Sequence, residues 1–209
     1  MINKFEDEKM EIRSLLDDDN YLEVLRKCDT LEEKLISDTG YINHTDFFFV
    51  YYDKSLMFMK FKEYPKVIKY ANKAKLCCET EEQTNLINWL LMEYNRDNNI
   101  NIEESLLLAD EIEAYYLKNN KPVYASGIRV NKALLLNDFQ AVKREIEFIK
   151  IIDRANTKVI DEYSTDLFNV YINNIPQNRL EIARLIKSIH SNELQHKLKL
   201  QLTTQLKIA

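Results

Sequence analysis

Apolar residues recur at three- and four-residue spacing along most of this chain, in segments that short polar links separate. Residues 55–76 show the pattern in full. An apolar segment ends near Phe61, the polar pair Lys62-Glu63 follows, and a second apolar segment begins at Tyr64. One face of that second segment carries Val67, Ile68, Ala71 and Ala74. Because this spacing is typical of amphipathic helices, the stretch predicts two helices joined by a tight turn.

The residue that opens the second helix of this pair has counterparts at a nearly constant interval. They are Tyr21, Tyr64, Ile102, Phe139 and Pro176, separated by 43, 38, 37 and 37 residues. Each follows a polar link and precedes an apolar segment with helical spacing. A repeated period of this length is typical of stacked helical hairpins, so the sequence predicts about five of them.

The predicted repeats cover the chain as a single domain, residues 1–209, with approximate bounds 2–37, 44–78, 81–118, 122–153 and 156–190 and a cap at 192–207. The individual helices are expected at 2–17, 21–37, 44–61, 64–78, 81–97, 102–118, 122–136, 139–153, 156–173 and 178–190. Capping residues support three of the starts, namely Thr45 with Asp46, Thr80, and Asn178 with Glu181.

The last segment, residues 193–207, fits two kinds of structure. Leu194, Leu198, Leu202 and Leu206 have helical spacing, whereas Leu198, Leu200 and Leu202 alternate as in a strand. We favour a helix that covers the end of the last repeat, because a bare end would expose apolar surface. A homodimer through this leucine stripe is the functional alternative.

Composition favours the same fold class. The 209 residues include only 2 Gly and 3 Pro, whereas β-hairpins and phosphate-binding loops need residues that accept positive φ. No apolar run approaches the length of a membrane span, and the N-terminus has no signal-peptide core, so we expect a cytoplasmic protein without membrane contact. Cys28, Cys77 and Cys78 lack the spacing of a zinc site or a disulfide framework, and we expect them to act as small apolar residues.

Charge is unevenly spread along the chain, whose formal net charge is −5. Residues 1–40 contain 12 acidic and 6 basic side chains, whereas residues 174–209 contain 2 acidic and 6 basic ones. This gradient would suit steering of a partner or head-to-tail pairing of two copies, and it equally fits solvated helix faces. A pI near 5.4 argues against direct nucleic-acid binding, and the lysines at 66, 69, 73 and 75 are expected to form a solvated surface.

Catalytic and metal-binding motifs are absent from the sequence. His44, His190 and His196 lack zincin spacing, and neither a phosphate-binding loop nor a nucleophile elbow occurs. Carboxylate pairs such as Glu81-Glu82 fall in first helical turns and are expected to be solvated. We therefore predict a protein that is not an enzyme and uses no metal or cofactor.

The hairpins resemble tetratricopeptide repeats. Thirteen residues before each repeat mark, where that family prefers a large aromatic side chain, the chain has Glu8, Tyr51, Trp89, Ser126 and Tyr163. The small residue that the family places in the same helix is Ser55 in the second repeat, but Ile12, Val130 and Leu167 stand at the matching positions elsewhere. The resemblance implies an all-α, right-handed superhelix (α-solenoid) of about five degenerate hairpins with a C-terminal capping helix.

The family binds peptides or protein segments in the concave groove that its first helices line. Carried over position by position, that groove would contain Phe49, Tyr52, Met59, Lys60, Tyr94, Asn131, Leu134, Phe168 and Tyr171. A Tyr offers broad contact area with a polar tip, and an Asn amide can pair with a peptide backbone. The alternative for the aromatic residues is a place in the core.

The resemblance implies a non-catalytic, peptide- or protein-binding regulatory module. The Asn-, Lys- and Tyr-rich repeats are also similar to the ligand domains of peptide-sensing regulators of Gram-positive bacteria and their phages. Those regulators carry an N-terminal effector domain, whereas the first repeat here begins almost at Met1. We therefore expect either a ligand domain alone or a protein that binds another protein directly. The alternative is a self-associating scaffold that uses its outer face and leucine-rich tail.

Overall fold

The computed structural model describes residues 5–38, 40, 43–153, 155 and 157–208, except the side chains of residues 174, 176, 207 and 208. All regular structure in this part of the chain is helical, and no helix in it is both long and apolar enough to cross a membrane. The helices are α1 (Glu6–Asp17), α2 (Tyr21–Ser37), α3 (His44–Lys60), α4 (Tyr64–Leu76), α5 (Glu81–Asn98), α6 (Ile102–Lys118), α7 (Pro122–Leu135), α8 (Phe139–Ile152), α9 (Thr157–Tyr171), α10 (Ile175–Ser188) and α11 (Asn192–Ile208). A short 3₁₀ turn, Ile172–Asn174, lies between α9 and α10.

The predicted helix bounds agree with these ranges to within three residues wherever the structure describes them. The segment with two interpretations, residues 193–207, is helical, so the helix prediction is confirmed. Residues 2–4 and 156, which we placed in the first and ninth helices, lie outside the described residues. The largest difference is α10, which begins at Ile175 rather than at residue 178.

Of the three predicted helix caps, one is confirmed. Thr80 caps α5 in a capping box with Gln83. The cap of α3 is Asn43, whose side chain accepts from the backbone N–H of Thr45, so the predicted Thr45 and Asp46 cap is wrong.

The third predicted cap, Asn178, is also wrong. It lies inside α10, because the chain continues from α9 through the 3₁₀ turn without leaving helical backbone angles. Its amide Nδ2 donates to the Tyr171 carbonyl over 3.3 Å instead.

The turns inside the first four hairpins share one backbone geometry. Each has a residue in the left-handed region, at Asp19, Lys62, Asn99 and Asn137, with φ between 53° and 58°. In each turn the N–H of the following residue bonds to the carbonyl five residues back, as from Asp138 to the Ala133 oxygen over 2.8 Å. This is the Schellman closure that glycine usually provides, and here three of the four positions are Asn or Asp, which tolerate positive φ best among non-glycine residues. The link from α6 to α7 has the same closure, with Asn120 at φ 55° and Lys121 N–H bonded to the Tyr116 carbonyl, so the closure marks helix ends in general.

The chain divides into two compact units, Met1–Leu108 and Ala109–Ala209. In the first unit, consecutive helices from α1 to α5 pack against one another, and α3 also contacts α5. α6 is tied to α5 by a buried hydrogen bond from Asn95 Nδ2 to Ser105 Oγ of 3.0 Å. The main core lies between α1, α2 and α3 and contains Phe5, Ile12, Val24, Cys28, Leu31, Leu35, Val50 and Met57.

In the second unit, consecutive helices from α7 to α11 pack against one another. Its core is a single large cluster that includes Val130, Ile146, Leu167, Phe168, Ile182 and Leu198. Leu198 is the only member of this set on α11, and its burial shows how the last helix packs against the others. Apolar residues on both units are thus buried along one stripe of each helix, as the sequence periodicity predicts.

Candidate functional site

Four of the predicted groove residues, Phe49, Tyr52, Met59 and Lys60, lie on α3. The first three are half-buried and Lys60 is exposed, so each offers some surface to a ligand. We call the surface formed by these four residues the α3 face. Tyr94 on α5 is also half-buried, and its ring meets the Tyr64 ring edge-on with centroids 5.8 Å apart.

Two aromatic side chains of the α3 face are held in place by neighbours. The Tyr52 ring stacks on the Phe48 ring with centroids 5.6 Å apart and an interplanar angle of 8°. The Phe49 ring lies under the guanidinium of Arg13 on α1, whose Cζ is 5.2 Å from the ring centroid. Such contacts restrict the rings before any ligand arrives, which lowers the entropy cost of binding.

The predicted groove residues of the second unit are mostly inaccessible. Asn131 and Phe168 are fully buried, and neither offers surface to a ligand, while Tyr171 is nearly buried between neighbouring side chains. The Asn131 amide donates to the Gly127 carbonyl over 3.2 Å, and Phe168 belongs to the core cluster. Leu134 is half-buried and packs against the same cluster.

Tyr171 lies between two neighbours that account for its burial. The Phe139 ring meets it edge-on with centroids 5.7 Å apart, and the Lys143 ammonium lies 5.4 Å from its ring centroid. These side chains stabilise the packing of α7 to α9, which is the alternative that the sequence left open for its aromatic residues. The residues that remain reachable are those on α3 and α5 of the first unit, with Leu134 of the second.

Beneath the α3 face, a buried ion pair joins α1 to α3. Lys9 Nζ lies 2.8 Å from Asp46 Oδ1 and 2.9 Å from Glu6 Oε2. Burial disfavours the charged Lys9 ammonium, but its hydrogen bonds to Asp46 and Glu6 outweigh that cost and raise its pKa. The pair fixes α1 beside α3 at the end of the helix where Phe49 lies.

A second charged cluster connects α2, α3 and α4. Lys54 is almost fully buried and pairs with Glu32 and with Asp29, the latter at 2.6 Å, while Lys73 Nζ lies 3.0 Å from Glu32 Oε1. Burial alone would raise the pKa of Glu32, but hydrogen bonds from the two lysines lower it. The Lys73 ammonium also lies 4.6 Å from the Tyr51 ring centroid. The cluster is internally balanced and serves to hold the three helices together.

Asp53 on α3 is the residue of this region that sequence reasoning missed. Its side chain is 5% exposed, and its Oδ2 has no hydrogen-bond partner among the residues that the structure describes. Burial raises the pKa of Asp53 to about 7, although the nearby Arg13 charge lowers it in part. A signal was present in the sequence, because Asp46, Val50, Asp53 and Met57 form a helical stripe in which two carboxylates interrupt apolar positions.

The second unit has polar networks of its own. Arg129 on α7 forms ion pairs with Glu113 of α6 at 3.1 Å and with Glu145 of α8 at 2.9 Å, and Ser126 Oγ donates to Glu145 over 2.7 Å. Burial lowers the pKa of Arg129, but the two carboxylates outweigh that effect and raise it. The network therefore ties three consecutive helices together.

A buried carboxylate of the second unit, Asp161 on α9, has a full set of donors. The backbone N–H groups of His190 and Ser191 and the His190 Nδ1 all lie 2.9 Å from one of its oxygens. These residues form the link between α10 and α11, so Asp161 positions the last helix. The sequence did not indicate this role.

Within the described ranges, no group of three or more His, Cys, Asp or Glu side chains is arranged to hold a metal ion. Cys28, Cys77 and Cys78 are free thiols, and burial raises the pKa of each one. A raised pKa disfavours the thiolate that nucleophilic or redox chemistry needs.

Comparison with known proteins identifies no relative of this chain. No family model, no curated protein and no solved structure matches this chain.

Proposed function

We propose that this chain is a non-catalytic, cytoplasmic module that binds a peptide or protein segment on the α3 face. In this proposal its hairpins form a right-handed, tetratricopeptide-like superhelix, and the first helices line the concave side. The observation that carries the proposal is that Phe49 and Tyr52 are half-buried on the same helix that exposes Lys60 at its end. Aromatic rings that are held in place yet partly reachable are the side chains that anchor bound segments.

The repeated Schellman turns support the superhelical part of the proposal. The same Schellman closure at the end of the first helix in four successive hairpins favours similar helix pairing, which is what a solenoid requires. The contact of α3 with α5 places first helices of neighbouring hairpins side by side. Tyr94 on α5 then extends the proposed surface beyond α3.

Affinity purification of the tagged chain from its native host, with mass spectrometry of the eluted peptides and proteins, would test the proposal. A candidate segment is then synthesised and its dissociation constant is measured by isothermal titration calorimetry. We expect Tyr52→Ala and Tyr94→Ala to weaken binding by about tenfold each, since each removes an aromatic contact. Leu76→Ala on α4 is the matched control, because Leu76 is 84% exposed and lies on a second helix of a hairpin.

Unchanged affinity in both Tyr variants, with circular dichroism confirming that they are folded, would exclude the α3 face as the binding surface. Asn131→Ala is not a suitable variant, because the buried amide bonds to the backbone of its own helix and its loss would disturb packing.

Self-association through α11 is a second candidate function. Leu206 of the leucine stripe is 55% exposed and Leu200, which lies outside the stripe, is 56% exposed, although Leu198 of the stripe is buried. Exposed leucines on one helix favour pairing with another apolar surface. Sedimentation equilibrium would measure the mass, and Leu200→Lys with Leu206→Lys should convert any dimer to monomer. A monomer at all concentrations in the unmodified chain would exclude this candidate.

A further inference from the structure

The unpaired carboxylate of Asp53 lies next to the proposed binding surface. Phe49, which belongs to the α3 face, precedes Asp53 by four residues, so the two side chains are neighbours on one side of α3. Asp53 is 5% exposed and its Oδ2 has no hydrogen-bond partner in the described part of the chain. Buried carboxylates in proteins are normally paired or hydrogen-bonded, because an unpaired one loses its hydration without compensation. A carboxylate that lacks such a partner within the chain is suited to bind a hydrogen-bond donor or cation supplied by a ligand.

Among the neighbours of α3, a group on α1 and a group on α2 interact electrostatically with Asp53. Arg13 of α1 is the one charged group that shifts its pKa, and Cys28 of α2 is a buried neutral thiol whose own pKa Asp53 helps to raise. The Arg13 side chain is 56% exposed and is engaged elsewhere, 3.5 Å from Glu6 and above the Phe49 ring. Arg13 therefore acts on the carboxylate from a distance and leaves it without a direct partner.

The Phe49 ring already binds a cation, which is the kind of group that Asp53 lacks as a partner. A guanidinium lies over its face at 5.2 Å, a geometry in which the ring quadrupole attracts a cation. A cation seated between this ring and Asp53 would combine that attraction with a charge-assisted hydrogen bond to the carboxylate. Since Arg13 is mostly exposed and also pairs with Glu6, an incoming cation can take its place on the ring while Arg13 keeps Glu6.

We propose that Asp53 and the Phe49 ring together form the recognition point for one positively charged group of the bound segment. The group is an ammonium or guanidinium, supplied by a Lys or Arg side chain or by a peptide amino terminus. The inference rests on the proposed function, because it names the chemistry that the α3 face selects. Asp53 is a specificity determinant in this scheme, while Tyr52 supplies affinity for neighbouring residues of the segment.

The test is selection of a displayed random-peptide library on the wild-type chain and on Asp53→Asn, followed by calorimetry with synthetic peptides. The wild type should enrich peptides with a basic residue or a free amino terminus at one fixed position, and Asp53→Asn should lose that preference. Replacing the basic residue by norleucine should weaken binding to the wild type by roughly tenfold and leave binding to Asp53→Asn nearly unchanged. Acetylated and free amino termini are compared to distinguish the two sources of the cation.

The outcomes separate the two proposals. Enriched peptides that need Tyr52 but show no basic preference would overturn the inference and leave the proposed function standing. Failure to enrich any peptide that needs Tyr52 would overturn both. If Asp53→Asn does not fold, the norleucine peptide measured on the wild type still decides the matter.

A measurement on the chain without peptide tests whether Arg13 itself already pairs with Asp53. The carboxyl carbon of Asp53 is followed by NMR through a pH titration of the free chain. Titration above the usual Asp range would show that the carboxylate has no cationic partner, as proposed. Titration below that range, reversed by Arg13→Gln, would show that Arg13 pairs with Asp53 and would overturn the inference.

Discussion

Two buried aspartates, one in each compact unit, differ in how their charge is compensated. Asp53 in the first unit and Asp161 in the second are 5% and 6% exposed. Asp161 accepts hydrogen bonds from two backbone N–H groups and one imidazole nitrogen, whereas Asp53 Oδ2 accepts none from the described residues. The two aspartates are therefore equally buried, but only Asp161 has its carboxylate oxygens hydrogen-bonded.

This difference decides whether a buried carboxylate stabilises or destabilises the helices around it. Asp161 replaces its hydration by fixed donors, so it stabilises the link from α10 to α11. Asp53 has lost hydration without such replacement, so in its charged form it destabilises the first unit. Asp46 is fully buried and is paired with the Lys9 ammonium at 2.8 Å. Four substitutions test how each of these charges is compensated.

The largest effect is expected from Lys9→Met, which leaves the Asp46 carboxylate buried beside an apolar side chain. Loss of one partner of a buried pair costs about 3 to 5 kcal/mol, because the remaining buried charge loses its opposite charge. Urea denaturation followed by circular dichroism measures the change. Adding Asp46→Leu should recover most of the loss, and a double variant as unstable as Lys9→Met would show that packing, not charge, is responsible.

Asp161→Asn should have the next largest effect, a loss of about 2 to 3 kcal/mol. The amide nitrogen of Asn would face N–H donors, so at least one donor would lose its acceptor. Thermal denaturation gives the stability, and hydrogen exchange should show faster exchange of the His190 and Ser191 amides. Glu162→Gln, at an exposed neighbouring position, is the control. Retained protection of those amides in Asp161→Asn would contradict the assignment.

Asp53→Asn should stabilise the chain, and only at high pH. The pKa of Asp53 is raised from its usual 3.8 to about 7 in the folded state, so between these values the folded state binds a proton that the unfolded state has lost. Wild-type stability must therefore fall as pH rises across this window. The variant should match the wild type near pH 5 and exceed it by about 2 to 3 kcal/mol near pH 8, since each pKa unit corresponds to about 1.4 kcal/mol.

Urea denaturation at a series of pH values measures this effect. Asp17→Asn, which removes an exposed carboxylate at the end of α1, is the control and should leave the pH profile unchanged. A wild-type stability that stays flat from pH 5 to pH 8 would mean that Asp53 has a partner in solution.

Most of the fold was predictable from sequence, because helix bounds follow from local periodicity. The Tyr64 and Phe139 marks predicted the starts of α4 and α8 to the residue. The compensation of buried charges was not predictable, since it depends on helices distant in sequence. Lys9 and Asp46 are 37 residues apart, and Asp161 and His190 are 29 apart. The groove assignments for Asn131 and Tyr171 lacked support for the same reason, because their burial is decided by neighbouring helices.

Arg13→Gln should have the smallest effect on stability, under about 1 kcal/mol, because the side chain is mostly exposed. The informative result is the direction in which this substitution shifts the pKa of Asp53. The Arg13 charge lowers the pKa of Asp53, so its removal should raise that pKa and move the fall in stability to higher pH.

Lys60→Gln removes a different exposed cation from α3 and should leave the midpoint of the pH profile in place, because Lys60 is not among the groups that shift Asp53. Equal shifts in both variants would mean that Asp53 responds to net charge alone. If the pH midpoint shifts only in Arg13→Gln, the Arg13 guanidinium lies close to the Asp53 carboxylate. An incoming cation must then replace Arg13 at that position.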